Sequence, residues 1–421
     1  MEYKNKFNIF IICLFIITVL IPYQLCIASC ICEDFSIRNE VIKVNSVQEL
    51  QSALITAYNT SGNKTIILEK GTYQLNNNLL YISPNMRNLQ IIGNGTTKEE
   101  VIIRGLGHKG SVTHIFNVAA SNFYCANLTL GWVSQHPIQI HGESEANYSE
   151  IKNVKIVDGN EQFIKISADF SSTKECVGGT IECCEFEFTQ GIAFQYYTGG
   201  IDGHRCTDWL IRNNTLSGFR SPDGNLSEHA IHFWSQSKNI IVENNIIFNC
   251  DRGIGFGLTP DPSRGNYGGI IRNNFVHTNR DVGIGIENTP DAKIYNNTIW
   301  TDNYFNSIEY RFPLTTNVEI FNNLTNTNIS KRDGATATLK NNYSGATIQF
   351  FIDARTYDYH LTEMATEAIQ KGIQIVDIDS DIDCDNRNTI FDIGADQYST
   401  LSKIKDQKIN NTFTIQYIDQ Q

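Results

Sequence analysis

A short apolar strand followed by a pair of asparagines recurs in this chain, and this repeat restricts the fold more than any other sequence feature. Asparagine tolerates the left-handed backbone conformation that a sharp turn needs. Its side-chain amides, stacked in successive repeats, can also hydrogen-bond to one another along the stack. Repeats of roughly 20–31 residues predict a solenoid. The copies are residues 210–214, 241–245, 270–274, 293–297 and 319–323, with Asn153 and Cys183 at the equivalent place in earlier repeats.

A second, independent column consists of triplets with an apolar residue at each end. In a strand the first and third residues face one side and the middle residue faces the other. The outer residues therefore point to the core and the middle residue points to solvent. Two aligned columns predict an all-β, right-handed parallel β-helix of coils of roughly 20–31 residues. The triplets begin at Ile138, Ile164, Ile192, Ile231, Ile254, Ile284 and Ile308.

Both ends of the repeat have the pattern of caps, which a stack needs to cover its terminal core. Residues 46–58 predict an amphipathic helix over the first coil. Residues 65–73 resemble the first strand of pectate-lyase-like β-helices, and residues 359–398 resemble the closing segment of bacterial β-helix proteins. The resemblance covers about residues 42–398 and implies one β-helix domain. It implies no single activity, because this fold hosts lyases, hydrolases, epimerases and adhesins.

The N-terminus has the pattern of an export signal. Lys4 and Lys6 precede a nearly unbroken apolar run, residues 9–21, which is short for a membrane span. Residues 27–30 resemble a bacterial lipobox, which would make residues 1–29 a signal peptide and Cys30 the acylated residue. An ordinary signal peptide is the alternative. We expect a cell-surface or periplasmic lipoprotein, attached to the membrane only by its lipid, or else a secreted protein.

Charge and cysteine content limit the partners. The net charge of −12 argues against nucleic acid but allows a polysaccharide partner, because local patches can oppose the mean charge. We expect a monomer. Eight cysteines remain after residue 30, which permits disulfides. Cys176 and Cys206 lie one coil apart and form a candidate bridge, with buried free thiols as the alternative. Residues 399–421 read as a polar tail.

The outward positions of the second column contain a stretch of glycines between chemically varied side chains. Gly255 and Gly285 would form a floor, with His232 and Trp234 on one side. On the other side stand Glu309 and Arg311, with Glu287 at the rim. Three coil steps give a trough of about 14 Å, suited to a few sugar units. In the alternative, a turn such as residues 257–268 folds back onto the glycines.

The leading functional hypothesis is a polysaccharide lyase-like enzyme that acts on a uronate-containing glycan. β-Elimination needs a cation to neutralise the uronate, a base for the α-proton and an acid for the leaving oxygen. Arg311 or Arg252 would neutralise, and His232 would abstract the proton. Glu309 would orient the histidine or bind a metal. Trp234 would stack on a sugar ring.

Further candidates surround this trough. His229, Arg252 and Lys165 are predicted to contact substrate. Residues 202–205 read as a charged turn leaving the third coil. Alternating aspartates over residues 377–385 make Ca²⁺ a candidate ion, although the spacing favours a solvated or capping loop.

Two other functions stay open. Glu287 and Glu309 lie on adjacent coils, so their carboxyl groups would be about 8 Å apart, within the range of inverting glycoside hydrolases. A non-catalytic surface protein that binds glycan, or serves as a structural rod, fits the repeat and the export signal equally well.

Overall fold

The computed structural model describes residues 36–37, 40–387, 389–399 and 416–417. In this part the chain forms a parallel β-solenoid of about 11 turns, and the predicted all-β, right-handed parallel β-helix is confirmed. The predicted signal peptide, Cys30 and nearly all of the polar tail lie outside the described residues. Among those described, no helix is long and apolar enough to span a membrane.

Three sheets run the length of the solenoid. Sheet 1 holds the strands that precede the asparagine pairs, and sheet 2 follows each pair. Sheet 1 comprises Glu40–Val44, Lys64–Leu68, Gln90–Gly93, the first halves of Tyr124–Val133 and Glu150–Gly159, then Thr180–Glu182, Leu210–Arg212, Ile241–Glu243, Ile270–Arg272, Lys293–Tyr295, Val318–Phe321 and Ala337–Lys340. Sheet 2 comprises Gly71–Gln74, Val101–Arg104, the second halves of the two long strands, Glu185–Glu187, Thr215–Ser217, Ile246–Cys250, Phe275–Thr278, Thr298–Thr301, Leu324–Thr325 and Tyr343–Ser344.

Sheet 3 carries the apolar triplets and forms the face of functional interest. Its strands are Phe116–Val118, Ile138–His141, Ile164–Ser167, Ile201–His204, His229–Trp234, Arg252–Phe256, Ile284–Glu287, Asn306–Arg311 and Asn328–Lys331. A short fourth sheet contains Cys176–Val177, Cys206–Thr207, Ser237–Lys238 and Asn266–Tyr267. The remaining strands are the parallel pair Ser36–Ile37 and Gln416–Tyr417, and the antiparallel pair Phe351–Asp353 and Asp358–Leu361.

One continuous apolar core fills the solenoid from Val44 to Ala335. It exists because alternate residues of each strand point inward, as the period of two in the sequence predicts. In sheet 3 the inward residues form aligned rows: Ile164 pairs with Ile201, which pairs with Ile231 on the next coil. The outward residues are forced into equally regular rows. This alignment is what positions side chains from separate coils next to one another.

Asparagine side chains form a continuous ladder at the corner between sheets 1 and 2. The first asparagine of each pair takes the left-handed conformation, with φ of +56° at Asn213 and +52° at Asn273. The second is buried and donates its amide to the next coil, for example from Asn245 Nδ2 to Asn274 Oδ1 at 3.0 Å. Both roles predicted for the pair are confirmed. The ladder runs through Asn214, Asn245, Asn274, Asn297, Asn323 and Asn342.

The helix predicted over the first coil is present as Val47–Asn59, with Ser46 as its N-cap. Its apolar side, which includes Leu50 and Leu54, is fully buried in the core. The described residues also form short 3₁₀ turns at Lys98–Glu100, Gly142–Ser144, Pro262–Arg264, Ile348–Phe350 and Ala354–Thr356.

The closing segment, by contrast, packs along the side of the solenoid. Tyr359 and Ile393 contact a small apolar cluster on the outer side of sheet 2 that includes Phe275 and Leu324. Arg387 is buried and donates to the carbonyls of Gly394 and Ala395 at 2.9 and 2.7 Å. The segment therefore covers a lateral face of the stack.

One coil differs from its predicted alignment. The triplet at Ile192 lies in a loop with Ile192 38% exposed, and the strand of sheet 3 is Ile201–His204 instead. This coil therefore has 37 residues between Lys165 and its partner Asp202, more than the predicted 31. The true triplet was hidden because Gly203 replaces the second apolar residue. A Cβ at Gly203 would lie 2.5 Å from the Phe233 ring, which fills that space.

The cysteines adopt a different arrangement from the proposed bridge. Cys176 and Cys206 are paired in register, as predicted, but both thiols are free and buried. Each sulfur hydrogen-bonds to a backbone carbonyl, that of Ala146 for Cys176 and that of His204 for Cys206. Burial raises the pKa of Cys176 to about 12, so the thiol form persists at neutral pH. Disulfide bonds involve Cys183 and Cys384.

Replacing one link of the asparagine ladder should destabilise the fold. Asn274 donates to the Val242 carbonyl and to Asn297, and it accepts from Asn245. We expect Asn274→Ala to lower the free energy of unfolding by about 2–4 kcal/mol, because several buried polar groups lose partners. Chemical denaturation measures this, with the exposed Asn76→Ala as matched control. Equal stability of the two variants would contradict a structural role for the ladder.

The closing segment should also give a pH-dependent stability. Burial by itself would lower the pKa of His360, but Asp358 and Asp383 raise it to about 9. Because the folded-state pKa lies above the unfolded value of about 6.5, this stabilisation is complete below that pH and is lost as pH rises toward 9. Thermal melting between pH 6 and 9.5 should show a decline that His360→Gln flattens. An unchanged pH profile in His360→Gln would contradict the assignment.

Candidate functional site

Three titratable side chains from two adjacent coils meet on the outer face of sheet 3. Lys165 and Asp202 pair in register, and the Lys165 ammonium forms an ion pair with Asp202 Oδ2. Lys165 Nζ also lies 3.0 Å from His204 Nε2, while His204 Nε2 lies 3.4 Å from Asp202 Oδ2. All three side chains are at least nine-tenths buried. We call Lys165, Asp202 and His204 the charged triad.

Burial and charge fix the protonation of the triad. Burial alone would raise the pKa of Asp202, but the Lys165 ammonium holds it well below its ordinary value. Burial lowers the pKa of His204, with partial opposition from Asp202. Because an ammonium group only donates, His204 Nε2 accepts from Lys165 and its ring is neutral. At neutral pH the triad therefore combines a carboxylate, a neutral imidazole and an ammonium.

Aromatic rings border the triad on the next coil. Trp234 pairs with His204 in register and donates from its indole Nε1 to Asp202 Oδ1 at 2.7 Å. The Arg264 guanidinium lies over the Trp234 ring at 5.3 Å. Phe170, 60% exposed, lies 5.5 Å from the His204 ring. Stacking surfaces and positive charge therefore adjoin the triad.

His232 is buried beside these groups. It is 1% exposed, and its Nε2 lies 3.0 Å from the Gly257 carbonyl, which can only accept. Nε2 therefore carries the proton, and Nδ1 faces Glu228 Oε2 at 3.8 Å and Asp202 Oδ1 at 3.9 Å. The ring stacks on Trp234 with centroids 5.8 Å apart. In this conformation Nδ1 faces two protein carboxylates, and the His232 ring is almost inaccessible to solvent.

A cleft lies beside Gly285, where the sequence predicted a glycine floor, but the predicted wall residues His232 and Trp234 are not among the residues that line it. It encloses about 530 Å³, part of it open to solvent, and its lining includes Gly285, Glu287, Glu309 and Arg311. Gly255 is needed because the His229 ring lies against it, whereas a Cβ at Gly285 would make only an ordinary contact with that ring. A Cβ at Gly255 would be 2.8 Å from His229 Nδ1, and one at Gly285 would be 3.4 Å from His229 Nε2. The His229 ring therefore occupies part of the floor, and Gly257 and Leu258, at the start of the following turn, also line the cleft.

Glu309 is held in place by groups on its own side of the cleft. Only 5% of its side chain is exposed. It accepts hydrogen bonds from Tyr304 Oη at 2.7 Å and Asn306 Nδ2 at 2.6 Å, and it pairs with Arg332 Nη1 at 3.0 Å. Burial and the neighbouring carboxylate raise the pKa of Tyr304 far above its ordinary value, so it stays a donor. Glu309 thus makes its observed contacts away from His232.

The arginines of the cleft are also paired. Arg311 Nε lies 2.7 Å from Asp333 and its Nη1 lies 3.3 Å from Glu287. Arg252 Nε lies 2.9 Å from Asp281. Each guanidinium retains other donors, so a carboxylate ligand could still bind, but it would compete with these protein carboxylates.

The structure divides the predicted site residues into two neighbouring groups. Glu287, Glu309, Arg311, Arg252, His229 and Gly285 line the cleft, and Gly255 lies under the His229 ring. Lys165 and Trp234 belong to the triad region, one or two coils away. Sequence reasoning placed Asp202 and His204 in a turn and missed Arg332 and Tyr304. The alternation of Asp202 and His204 after Ile201 was the available signal for the first pair.

The alternating aspartates near the C-terminus include a turn-forming residue. Asp381 is fully buried, and its Oδ1 accepts backbone N–H groups of Asp383 and Asp385 at 2.9 and 2.8 Å. Its Oδ2 accepts the N–H of Gln397 at 2.9 Å. These contacts suit the capping loop that the sequence favoured, and a Ca²⁺ site there stays a prediction.

Comparison with known proteins gives limited guidance. A family model described as periplasmic copper-binding protein (NosD) matches residues 188–376, under half of the chain. No curated protein sequence matches significantly. Similar solved structures include the A-module of a mannuronan C-5 epimerase from Azotobacter vinelandii, with 13% identity, TM-score 0.43, and coverage of 71% of this chain and 93% of that one. Similarity at this level says nothing about activity.

Two further similar structures differ in function from the first. Pectate lyase Pel9A has 12% identity and a TM-score of 0.42, with 86% of this chain and 98% of that chain covered. PfbA, a surface adhesin of Streptococcus pneumoniae, has 13% identity and a TM-score of 0.42, with 72% and 90% covered. Enzymes and an adhesin thus stand side by side among the similar structures.

The pairing of Glu309 should matter for stability. Arg332→Ala would leave a buried carboxylate without its cation, and we expect a loss of about 1–3 kcal/mol in the free energy of unfolding, since Arg332 itself is 38% exposed. The double variant with Glu309→Gln should recover part of that loss. Lys70→Ala, which removes an exposed pair with Glu100, is the control and should leave the denaturation midpoint unchanged. If Arg332→Ala and Lys70→Ala changed the denaturation midpoint equally, this account would be wrong.

Proposed function

We propose that the protein acts on a uronate-containing polysaccharide by lyase-like proton abstraction, with the charged triad as its catalytic group. The observation that carries the proposal is the 3.0 Å contact between the Lys165 ammonium and the neutral His204 ring, both buried beside Asp202. Abstraction of the proton next to a carboxylate needs a base that reaches this proton and a cation that binds the carboxylate. Lys165 and His204 supply these two groups on one face.

The proposed step uses residues of this chain alone. The uronate carboxylate binds the Lys165 ammonium and draws it away from His204. The lone pair of His204 Nε2 is thereby freed. That nitrogen takes the proton from the carbon next to the carboxylate, and the released electron pair is stabilised by the adjacent ammonium. As the glycosidic C–O bond breaks, a double bond forms, the leaving oxygen takes a proton from solvent, and His204 then returns its own proton to solvent. Asp202 holds the positive charge in place throughout.

Binding is assigned to the surfaces around the triad. A sugar would stack on the Trp234 ring in place of the Arg264 guanidinium that now lies over it, and the displaced Arg264 would bind a further carboxylate. Because Lys165 and His204 are each only 9% exposed, the substrate has to displace Phe170. The adjoining cleft, with Arg252 and Arg311, extends the polar surface along the same sheet for neighbouring sugar units.

Two alternatives receive less support. An inverting hydrolase needs one carboxylic acid in its protonated form. Glu287 and Glu309 are each already engaged in an ion pair with an arginine, so this pair is poorly suited to that role. A protein that binds glycan without cleaving it uses the same rings and cations, and the following experiment separates it from an enzyme.

The purified protein should be incubated with a panel of uronic-acid polymers, with and without Ca²⁺, while ultraviolet absorbance of unsaturated uronides and reducing ends are recorded. We expect unsaturated products with at least one polymer, and a loss of about 100-fold or more in rate in His204→Asn and Lys165→Met. His277→Asn, a buried histidine of sheet 2 paired with Asp302, is the matched control and should retain the rate.

The other outcomes are equally informative. Reducing ends without ultraviolet absorbance would indicate hydrolysis. Polymer binding that Trp234→Ala abolishes, without turnover in the parent protein, would establish a binding protein and overturn the proposed activity. Full activity in His204→Asn would remove the triad from the mechanism.

A further inference from the structure

We propose that Glu228, His229 and His232 form a binding site for a divalent transition-metal ion, of Zn²⁺ or Cu²⁺ character, at the edge of the glycine-floored cleft. One ligand atom of each side chain lies within 4.8 Å of the others. A tetrahedral ion with bonds of about 2.1 Å holds its ligands about 3.4 Å apart. A contraction of at most about 1.4 Å therefore brings the three atoms to coordinating distance.

The tautomer of His232 is already that of a metal ligand. Its Nε2 carries the proton because it lies 3.0 Å from the Gly257 carbonyl. Metal-binding histidines almost always donate their second ring N–H to a carbonyl or carboxylate, which orients the ring. The other ring nitrogen, Nδ1, is the atom 3.8 Å from Glu228 Oε2, and in the neutral ring it carries the lone pair that a metal ion would bind. Nothing in the ring has to rearrange for coordination.

His229 supplies an independent observation. His229 is only 9% exposed, and its Nδ1 is buried with no hydrogen-bond partner among the described residues. An unpaired buried nitrogen costs free energy and is rare in folded proteins. Gly255 leaves room for this ring, since a Cβ there would lie 2.8 Å from His229 Nδ1. A bound cation would satisfy the orphaned nitrogen.

The ligand chemistry selects the class of ion. Two imidazoles and one carboxylate suit Zn²⁺ and Cu²⁺, whereas Ca²⁺ and Mg²⁺ prefer oxygen ligands alone. Three protein ligands leave a fourth position for water or a ligand. His229 also lines the cleft, so that position would be reached from there. The site uses none of the three residues of the charged triad and does not depend on the proposed glycan activity.

Calorimetric titration of the metal-stripped protein with ZnSO₄ tests the site, with Co²⁺ absorption as a report of tetrahedral coordination. We expect one ion per chain at this site. Affinity should fall about 100-fold or more in Glu228→Gln, His229→Asn and His232→Asn, since changes outside the ligand shell alone cost 10–100-fold. His360→Asn is the matched control, because His360, Asp383 and Asp396 form the other described cluster able to hold an ion.

Each other result decides against the proposal. Absence of Zn²⁺ binding in the parent protein would overturn it, as would binding that persists in His229→Asn and Glu228→Gln. Binding that is lost only in His360→Asn would place the ion in the closing segment instead. Circular dichroism verifies folding of each variant. Glu228→Gln keeps the test decisive if a histidine variant fails to fold, because the Glu228 side chain is 30% exposed.

Discussion

Parallel pairing of each coil with the next is the constraint on which the rest of the structure depends. Every strand of sheets 1 to 3 must place its backbone groups opposite those of its neighbours, and a shift by one residue would turn its core side chains outward. The asparagine ladder opposes such a shift, because each amide hydrogen-bonds to the equivalent amide of the next coil. Loops can then vary in length without disturbing the register, as the 37-residue coil before Asp202 shows.

That register is also what creates the candidate site. Lys165, Asp202 and His232 are outward residues of three successive coils, and they form a row because Ile164, Ile201 and Ile231 form one inside. Charged groups so close together on a sheet must neutralise one another or shift their protonation. The triad does both: Lys165 pairs with Asp202, and His204 becomes neutral through burial. The arrangement of the candidate site thus follows from the same strand register that aligns the core residues.

The glycines of sheet 3 illustrate how a small residue on one coil serves a large one on another. A strand glycine usually marks close approach by another group. Here Gly255 accommodates the His229 ring from the preceding coil, and Gly203 accommodates Phe233 from the following one. The first arrangement makes room for a polar ring beside the cleft, while the second preserves the core. A strand glycine therefore lies beside a histidine of the candidate site in one coil and beside a core phenylalanine in the other.

The sequence by itself determined the fold class, the two strand columns, the helix after Ser46 and the turn conformation of the asparagines. Each of these depends on local periodicity or on the backbone preference of a single residue type. It also placed the cleft residues from Gly255 to Arg311, because those coils have regular triplets. Only the tertiary structure decided which charges are paired, as with Glu309 and Arg332. It alone also brought Asp202 and His204 onto sheet 3. The physical reason is that these contacts join residues from different coils through loops of unequal length, and no local pattern in the chain records that geometry.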